Sequence, residues 1–439
     1  MTFKEQMTVA VGKFVSWTSK TFRLGAGATW PGEIALFFSP NILRSLGSQL
    51  SGGIILVAGT NGKTTTSLMI KTILEHEGMM VVHNKSGANL LNGIVSACID
   101  MATGKGHIKA DWGVFEVDEN SLPIVLHEVS PKAIVLLNLF RDQLDRYGEV
   151  DVIAEKWEKA LKYVNSDTTL ILNADDPLVS FLGKKATLKA KYFGLTDTSL
   201  QAKTMEHATD STFCLFCGAR LSYRTVFFSH IGDWYCRACG EKRPRLDLPS
   251  WKSPLPGLYN LYNTLASVLT ARTFGVPDDH ITQALKGFAP AFGRQEEFVI
   301  DGKTVKLFLS KNPAGFNASL RTVLECKSRA ILLALNDRIP DGRDVSWIWD
   351  VDFEKIPDAV TVIVTGDRVY DMAVRIKYTR TSLIVNRDSQ KSGLFVEPDI
   401  KKAIQKGLDQ VKNEETLYIL PTYSAMLEIR KVLTGKRIL

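Results

Sequence analysis

From Ile54 onward the chain alternates short, β-branched apolar runs with longer segments of mixed polarity. Ile54–Ala58, Met80–Asn84, Trp112–Val117, Ala133–Asn138 and Thr169–Asn173 are dominated by apolar residues. Strands buried on both faces read this way, and the intervals leave room for helical crossovers. The pattern therefore predicts a mostly parallel sheet with helices on both sides. Between about residues 195 and 250 the alternation stops, and polar segments, aromatics and paired cysteines take over, which predicts an inserted module. Helical periodicity returns over Asn260–Phe274. A joint, FAPAFGRQ (Phe288–Gln295), then precedes a second set of strand candidates: Val305–Leu309, Ala330–Leu335, Val360–Thr365, Ser382–Val385 and Leu417–Leu420. These predict a second α/β domain of the doubly wound, Rossmann-like kind. Upstream, an amphipathic stretch (Val9–Phe22) and a Gly/Pro connector (Gly25–Pro31) predict a helical arm. The expected organisation is an N-terminal arm over 1–50, a central domain over 51–290 with an insertion at about 205–245, and a C-terminal domain over 297–439.

Composition narrows the class without naming a function. At 439 residues the chain has room for two to four domains, and 45% hydrophobic with 23% charged residues excludes bulk disorder, collagen and coiled coil. The net charge of +7 is spread along the length, so it favours polyanionic ligands without indicating nucleic acid. No apolar run reaches the roughly 18–20 residues of a spanning helix, and the N-terminus lacks the pattern of a signal peptide. A cytoplasmic protein is expected.

The sharpest motif is Gly59-Thr60-Asn61-Gly62-Lys63-Thr64-Thr65, between the strand Ile54–Ala58 and a helical segment. Glycines let backbone N–H groups turn toward phosphate oxygens, and a helix N-terminus adds partial positive charge. Lys63 is placed to neutralise β/γ-phosphates, and the Thr64 hydroxyl to ligate Mg²⁺. A plain strand-to-helix turn would not need all of these together. Glu116, ending Trp112–Val117 and followed by Asp118 and Glu119, is placed to hold Mg²⁺ through carboxylate oxygens.

Cys214-x-x-Cys217-Gly and Cys236-x-x-Cys239-Gly, eighteen residues apart, make a tetrahedral thiolate set for Zn²⁺ with no open position. Such a site is structural, and its flanks carry no dense basic-aromatic surface for nucleic acid. Only Cys98 and Cys326 remain, both in segments where buried, inert thiols are expected. The chain thus has no evident nucleophile with which to hydrolyse glutamine.

The shortened phosphate loop, with Val57 where a full P-loop has its first glycine, resembles the ATP loop of the Mur ligase and folylpolyglutamate synthetase superfamily. Asn138–Asp145, Asn173-Ala174-Asp175-Asp176-Pro177, Tyr259–Asn263 and Gly293-Arg294 are similar to segments around the nucleotide in that superfamily. The resemblance implies that Asp175, Asn260 and Asn263 lie near adenine and ribose and that Arg294 reaches the phosphates. Gln143 stands where those ligases usually have histidine, and Lys156 is one residue out of register with their carbamylated lysine.

Over nearly the whole chain the resemblance is closer still. Leu309–Asn317, Leu335-Asn336-Asp337 and Asp341–Asp350 (DGRDVSWIWD), with Pro340 replacing an alanine, together with the four-cysteine insertion, resemble the MurT family. Its members are the ligase subunits of the MurT–GatD lipid II isoglutaminyl synthase. The resemblance implies ATP-dependent amidation of the D-glutamate α-carboxylate of lipid II through an acyl phosphate, at the inner face of the cell membrane. It also implies a heterodimer with a GatD-like glutaminase, whose histidine would be oriented by Asp344, a role a carboxylate can fill physically. The rival expectations are a stand-alone amino-acid ligase of the Mur or folylpolyglutamate type and a non-catalytic nucleotide-dependent interaction protein.

Overall fold

The structure, a computed structural model, describes the whole chain except residues 23–28, 85–86, 142–149, 203–205, 207–208, 290–293, 380–392 and 436–439, and the side chains of Lys20 and Arg294. Six parallel strands form the central sheet: β1 (Gly53–Ala58), β2 (Val81–His83), β3 (Trp112–Val117), β4 (Ala133–Leu136), β5 (Thr169–Asn173) and β6 (Lys189–Phe193), in the order β2-β3-β1-β4-β5-β6. The period-2 alternation of β1 explains why every position is apolar. Ile54, Leu56 and Ala58 enter one core and Ile55 and Val57 the other. The second core is closed by α4 (Lys63–His76) and α9 (Leu258–Thr273) through Met69, Ile73, Leu265 and Val268. The first is closed by α5 (Leu91–Met101), α6 (Leu122–Glu128), α7 (Val150–Leu161) and α8 (Pro177–Lys185).

The N-terminal fifty residues do not project as an arm. Helices α1 (Phe3–Phe22), α2 (Trp30–Phe38) and α3 (Ile42–Gly47) place Val9, Ala35, Ile42, Leu43 and Leu46 in the first core, fully buried beside Ile54 and Leu56. The expected β strands appear at the expected places, with ends moved by one or two residues. The sixth, β6, was not anticipated: KAKYF alternates lysine with apolar residues because it is an edge strand, half open to solvent.

The insertion is an antiparallel hairpin, β7 (Ser222–Phe228) and β8 (Ile231–Tyr235), beside the two cysteine turns. It is not a free appendage. Trp234 Nε1 donates to Ala174 O (2.9 Å), Gly232 N donates to Asp175 O (2.9 Å), and Phe227, Phe228 and Ile231 join the second core.

A second sheet follows α10 (Asp278–Leu285): β9 (Arg294–Ile300), β10 (Lys303–Phe308), β11 (Ala330–Ala334), β12 (Thr361–Thr365), β13 (Leu394–Val396) and β14 (Thr416–Pro421), in the order β13-β12-β11-β14-β10-β9. All its pairs are parallel except β9–β10. Its two faces carry separate cores, one with α11 (Pro313–Glu325) and α12 (Val369–Thr379), the other with α13 (Ile400–Gln410) and α14 (Tyr423–Thr434). This is the doubly wound arrangement. β9 starts in the last two residues read as a joint and runs on to Ile300, and the strand expected at Ser382–Val385 lies outside the described residues.

Candidate active site

β1 delivers the chain to the phosphate loop at the carboxyl edge of the central sheet, between β3 and β4, where strand order changes direction and such sheets bind ligands. Gly59 and Gly62 have φ of +139° and +94°, and a Cβ on Gly62 would come within 2.1 Å of Asn263 Oδ1. Only glycine fits there. Asn138, just past β4, clamps the loop. Its carbonyl accepts from Thr60 N (3.0 Å), its Oδ1 accepts from Asn61 N (2.9 Å), and its Nδ2 donates to Asn61 O (3.0 Å). Thr60 Oγ1 closes the same contact by accepting from Phe140 N at 3.0 Å. At the start of α4 the N–H groups of Lys63, Thr64 and Thr65 precede the first intrahelical bond, Thr66 N to Gly62 O. They are free to meet an anion.

Lys63 is buried, and its ammonium donates to Glu119 Oε2 at 2.9 Å and to Gly59 O at 2.5 Å. Burial pushes the Glu119 carboxyl up, but the Lys63 and Lys311 ammonium groups outweigh that and hold it below its ordinary value. Glu116, paired in register with Val57 across β1–β3, is 2% exposed. Its Oε1 accepts a long bond from Gly87 N (3.4 Å), whereas Oε2 is buried with no hydrogen-bond partner among the described residues. A buried carboxylate oxygen left in this condition fits a cation ligand, and Thr64, at the end of the phosphate loop, is buried as well.

A cleft opens above the loop. Asn61, Gly62, Thr65, Asn260 and Asn263 line it, so the structure brings together five residues expected at the nucleotide. Its opposite wall comes from the C-terminal domain. Asn312 caps α11, accepting from Gly315 N at 2.8 Å, and also meets Asn61 across the domain boundary with amide contacts of 3.3 and 3.5 Å. Lys311, Tyr259, Phe228 and Gln295 are also part of the lining. Sequence reasoning missed the parts played by Lys311, Asn312, Asn138 and Glu119. The Asn312-Pro313 pair was a readable signal, since an N-cap followed by proline at the first helical position marks a helix start.

Asp175 is a correction. It is fully buried and absent from the cleft. Tyr262 OH (2.6 Å) and Leu195 N (2.8 Å) donate to Oδ2, and Arg243 donates to Oδ1 (2.8 Å). Burial pushes its carboxyl up to about 6 against the pull of Arg243. Asp175 therefore ties the insertion to the sheet instead of reaching toward a nucleotide. Gly293 lies outside the described residues, as do Asp142–Asp145 and the Arg294 side chain; Arg294 starts β9.

The four cysteine Sγ atoms lie within 4.8 Å of one another, with Cys214–Cys239 at 3.6 Å and Cys217–Cys236 at 3.5 Å. A tetrahedral zinc with Zn–S near 2.3 Å has sulfur–sulfur edges of roughly 3.8 Å, so the donor set fits. Gly218 and Gly240 take φ of +75° and +79° and donate back to Cys214 O and Cys236 O, closing each turn. The backbone N–H of Cys239 helps draw the Cys236 thiol down to about 7. Of the remaining thiols, Cys98 is fully buried and its pKa is pushed up to about 12, which leaves it inert. Cys326 departs from expectation: it ends α11 and is exposed.

Asp344 is far from this chemistry in character. It is exposed on the C-terminal domain, its Oδ1 accepts from Ser346 N at 2.8 Å, and that bond holds its carboxyl below the ordinary value. It lines a surface concavity with Arg343, Ser346, Trp349, Arg368 and Tyr370.

Comparison with known proteins agrees with this geometry. A family described as Mur ligase middle domain matches residues 57–271, and one described as MurT ligase C-terminal matches 309–426. The chain is 35% identical over 405 residues to the lipid II isoglutaminyl synthase (glutamine-hydrolyzing) subunit MurT of Staphylococcus aureus strain COL, covering 87% of this chain and 88% of that one. It is 32% identical over 438 residues to the same-named subunit of Streptococcus pneumoniae, covering 95% and 94%. Among solved structures, a pseudomurein peptide ligase type C from Methanothermus fervidus superposes with a TM-score of 0.67 at 22% identity, over 89% of this chain and 80% of that one. MurF ligase from Thermotoga maritima in complex with ADP gives 0.61 at 15% identity, over 91% and 83%. These last two speak to the fold alone. With two relatives above 30% identity along most of its length and both family signatures in order, the chain belongs to the MurT family, the ligase subunits of lipid II isoglutaminyl synthase.

Proposed function

We propose that the protein amidates the α-carboxylate of D-glutamate in the lipid II stem peptide: the carboxylate takes the γ-phosphoryl group of ATP, releasing ADP, and ammonia then attacks the acyl carbon and displaces phosphate. The observation that carries this reading is the pairing, at one end of the central sheet, of a phosphate loop holding a buried lysine with a buried Glu116 whose Oε2 has no partner among the described residues. Lys63 would exchange Glu119 for phosphate oxygens, while the N–H groups of Lys63, Thr64 and Thr65 hold the anion at the helix end. Thr64 and Glu116 would hold Mg²⁺, which supplies charge neutralisation at the transferring phosphoryl group. Asn61, Asn260 and Asn263 are placed to orient the nucleotide. Lys311 and Asn312 would close the cleft from the C-terminal domain and exclude water from an intermediate that hydrolyses readily. Zn²⁺ at the four cysteines would be structural.

Ammonia would come from a GatD-like glutaminase subunit docked at the Asp344 concavity, with Asp344 orienting that subunit's histidine. The reaction would take place in the cytoplasm at the inner membrane face, where lipid II is exposed. The test supplies ATP, lipid II and either NH₄⁺ or glutamine. Amidation with NH₄⁺ by this chain alone, and with glutamine only after the glutaminase is added, is the expected result. Incorporation of a free amino acid, or nucleotide binding without turnover on any acceptor, overturns the proposal.

A further inference from the structure

Helix α1 is amphipathic in the reverse of the usual sense. Its inward side is small and polar: Thr8, Ser16 and Ser19 are buried beside Val9, and a Cβ on Gly12 would lie 2.9 Å from Ile99 Cδ1. Its outward side carries Phe3, Met7, Phe14 and Trp17, at intervals of four, seven and three residues that put them on one stripe. They are 78, 52, 62 and 59% exposed. A surface helix of a water-soluble domain ordinarily turns such residues inward. At about 150–250 Å² for each large side chain, these four leave roughly 500 Å² of apolar surface in water, near the top of the range for any patch on a monomer. Phe37, 82% exposed near the end of the adjoining α2, extends the aromatic character.

The orientation is held from behind. Ser16 Oγ donates to Asp100 Oδ1 (2.6 Å), Lys13 Nζ caps the end of α5 by donating to Ala102 O, and Ser45 Oγ donates to Glu5 Oε1. Rotating the stripe inward would break all three. Lys4, Lys105 and Lys109 are exposed, and the 104–110 loop meets the start of α1 where Gln49 Nε2 contacts both Met1 Sδ and Gly106 O. The carboxylates of Glu5 and Asp100 lie on the inward side of the helix, where Ser45 and Ser16 donate to them.

We infer that this face of α1 seats the protein on an anionic lipid surface, with the helix lying in the headgroup layer. Aromatic and methionine side chains at a helix face flanked by lysines suit that layer. No helix among the described residues is long and apolar enough to cross a membrane, so the contact is peripheral. A second copy of the chain suits the face less well, because a two-fold contact would bring the flanking lysines of both copies together. The inference rests on the proposed lipid-linked substrate for its purpose, but on the helix itself for its chemistry.

The test is co-sedimentation of the full chain with vesicles of phosphatidylglycerol and phosphatidylcholine, and of phosphatidylcholine alone, at low and high salt. Binding to the anionic vesicles that weakens with salt is expected, with a blue shift of tryptophan fluorescence. Phe14→Glu/Trp17→Glu should weaken binding at least tenfold while leaving the unfolding midpoint and the amidation of detergent-solubilised lipid II unchanged. Absence of binding by the wild type, equal binding by the variant, or a dimer in sedimentation velocity that the variant dissolves overturns the inference. A chain that binds vesicles but never amidates lipid II counts against the proposed reaction and leaves the surface standing.

Discussion

Lys63 and Glu119 are each 8% exposed at the side chain and lie 2.9 Å apart, a buried ion pair in which each partner makes the other tolerable. Removing one leaves an uncompensated charge, at a cost of about 3 kcal/mol. Lys63→Met should therefore lower both stability and ATP-dependent turnover, the latter by a factor of about 100 or more. Lys63→Met/Glu119→Gln should regain most of the stability and none of the activity; equal destabilisation of single and double variants in urea titrations would sink the pairing argument. Gly62→Ala meets both a left-handed φ and Asn263 at 2.1 Å, so nucleotide binding should fall sharply in calorimetry. Asp175 has a pH signature. Its folded value near 6 lies above the ordinary 3.8, so between those values the folded protein holds a proton that the unfolded chain has released. This group thus makes stability fall as pH rises from about 4 to about 6. Denaturation midpoints across that window should decline more steeply for the wild type than for Asp175→Asn, and parallel curves would contradict the assignment. The loop residues were legible from sequence because glycine, lysine and threonine at fixed spacing after a strand have few other uses. Asp175 misled because burial, which decided its role, is not written in a five-residue motif.

At the level of elements, the cysteine hairpin has a core of its own of only Cys214, Leu221, Trp234 and Cys236. So small a cluster would gain stability from a metal bound at the four cysteines. Purified protein should contain about one zinc per chain, and a chelator or Cys217→Ser should loosen β7–β8 in hydrogen exchange before the sheet is affected. Zinc-free protein with the same exchange pattern would refute this. Helix α11 begins at Asn312, whose side chain accepts from Gly315 N; Asn312→Ala should cost about 1 kcal/mol as a lost cap and also weaken nucleotide binding through the broken contact with Asn61. Asn312→Ser or Asn312→Asp, which still cap, should restore the stability but not the binding. Fully buried strands such as β1, β3 and β5 were readable because burial on both faces demands uninterrupted apolar residues. The edge strands β6 and β9 were not, because half-exposed pairing tolerates KAKYF and RQEEFVI, which resemble loops.

Over the whole molecule, charged pairs cross between the two domains that frame the cleft. Arg141 faces Asp350 at 3.5 Å, and buried Glu206 receives Arg321 and, at 3.7 Å, Lys355. Such an interface suits opening and closing around a nucleotide. Asp344 belongs to this scale, because its proposed purpose lies in another subunit: Asp344→Asn should abolish glutamine-dependent amidation and largely keep the NH₄⁺-dependent reaction. Equal loss of both would show that it serves the ligase itself. Local chemistry along the chain was enough to determine two α/β sheets, a phosphate loop and a four-cysteine cluster, since each depends on residues close in sequence whose periodicity or spacing is their physical signature. Tertiary structure alone decided that the first fifty residues complete the central core, that α1 turns its aromatic face outward, and that Lys311 and Asn312 stand opposite a loop some 250 residues earlier. Those outcomes depend on which surfaces meet, and that is set by the packing of whole elements against one another.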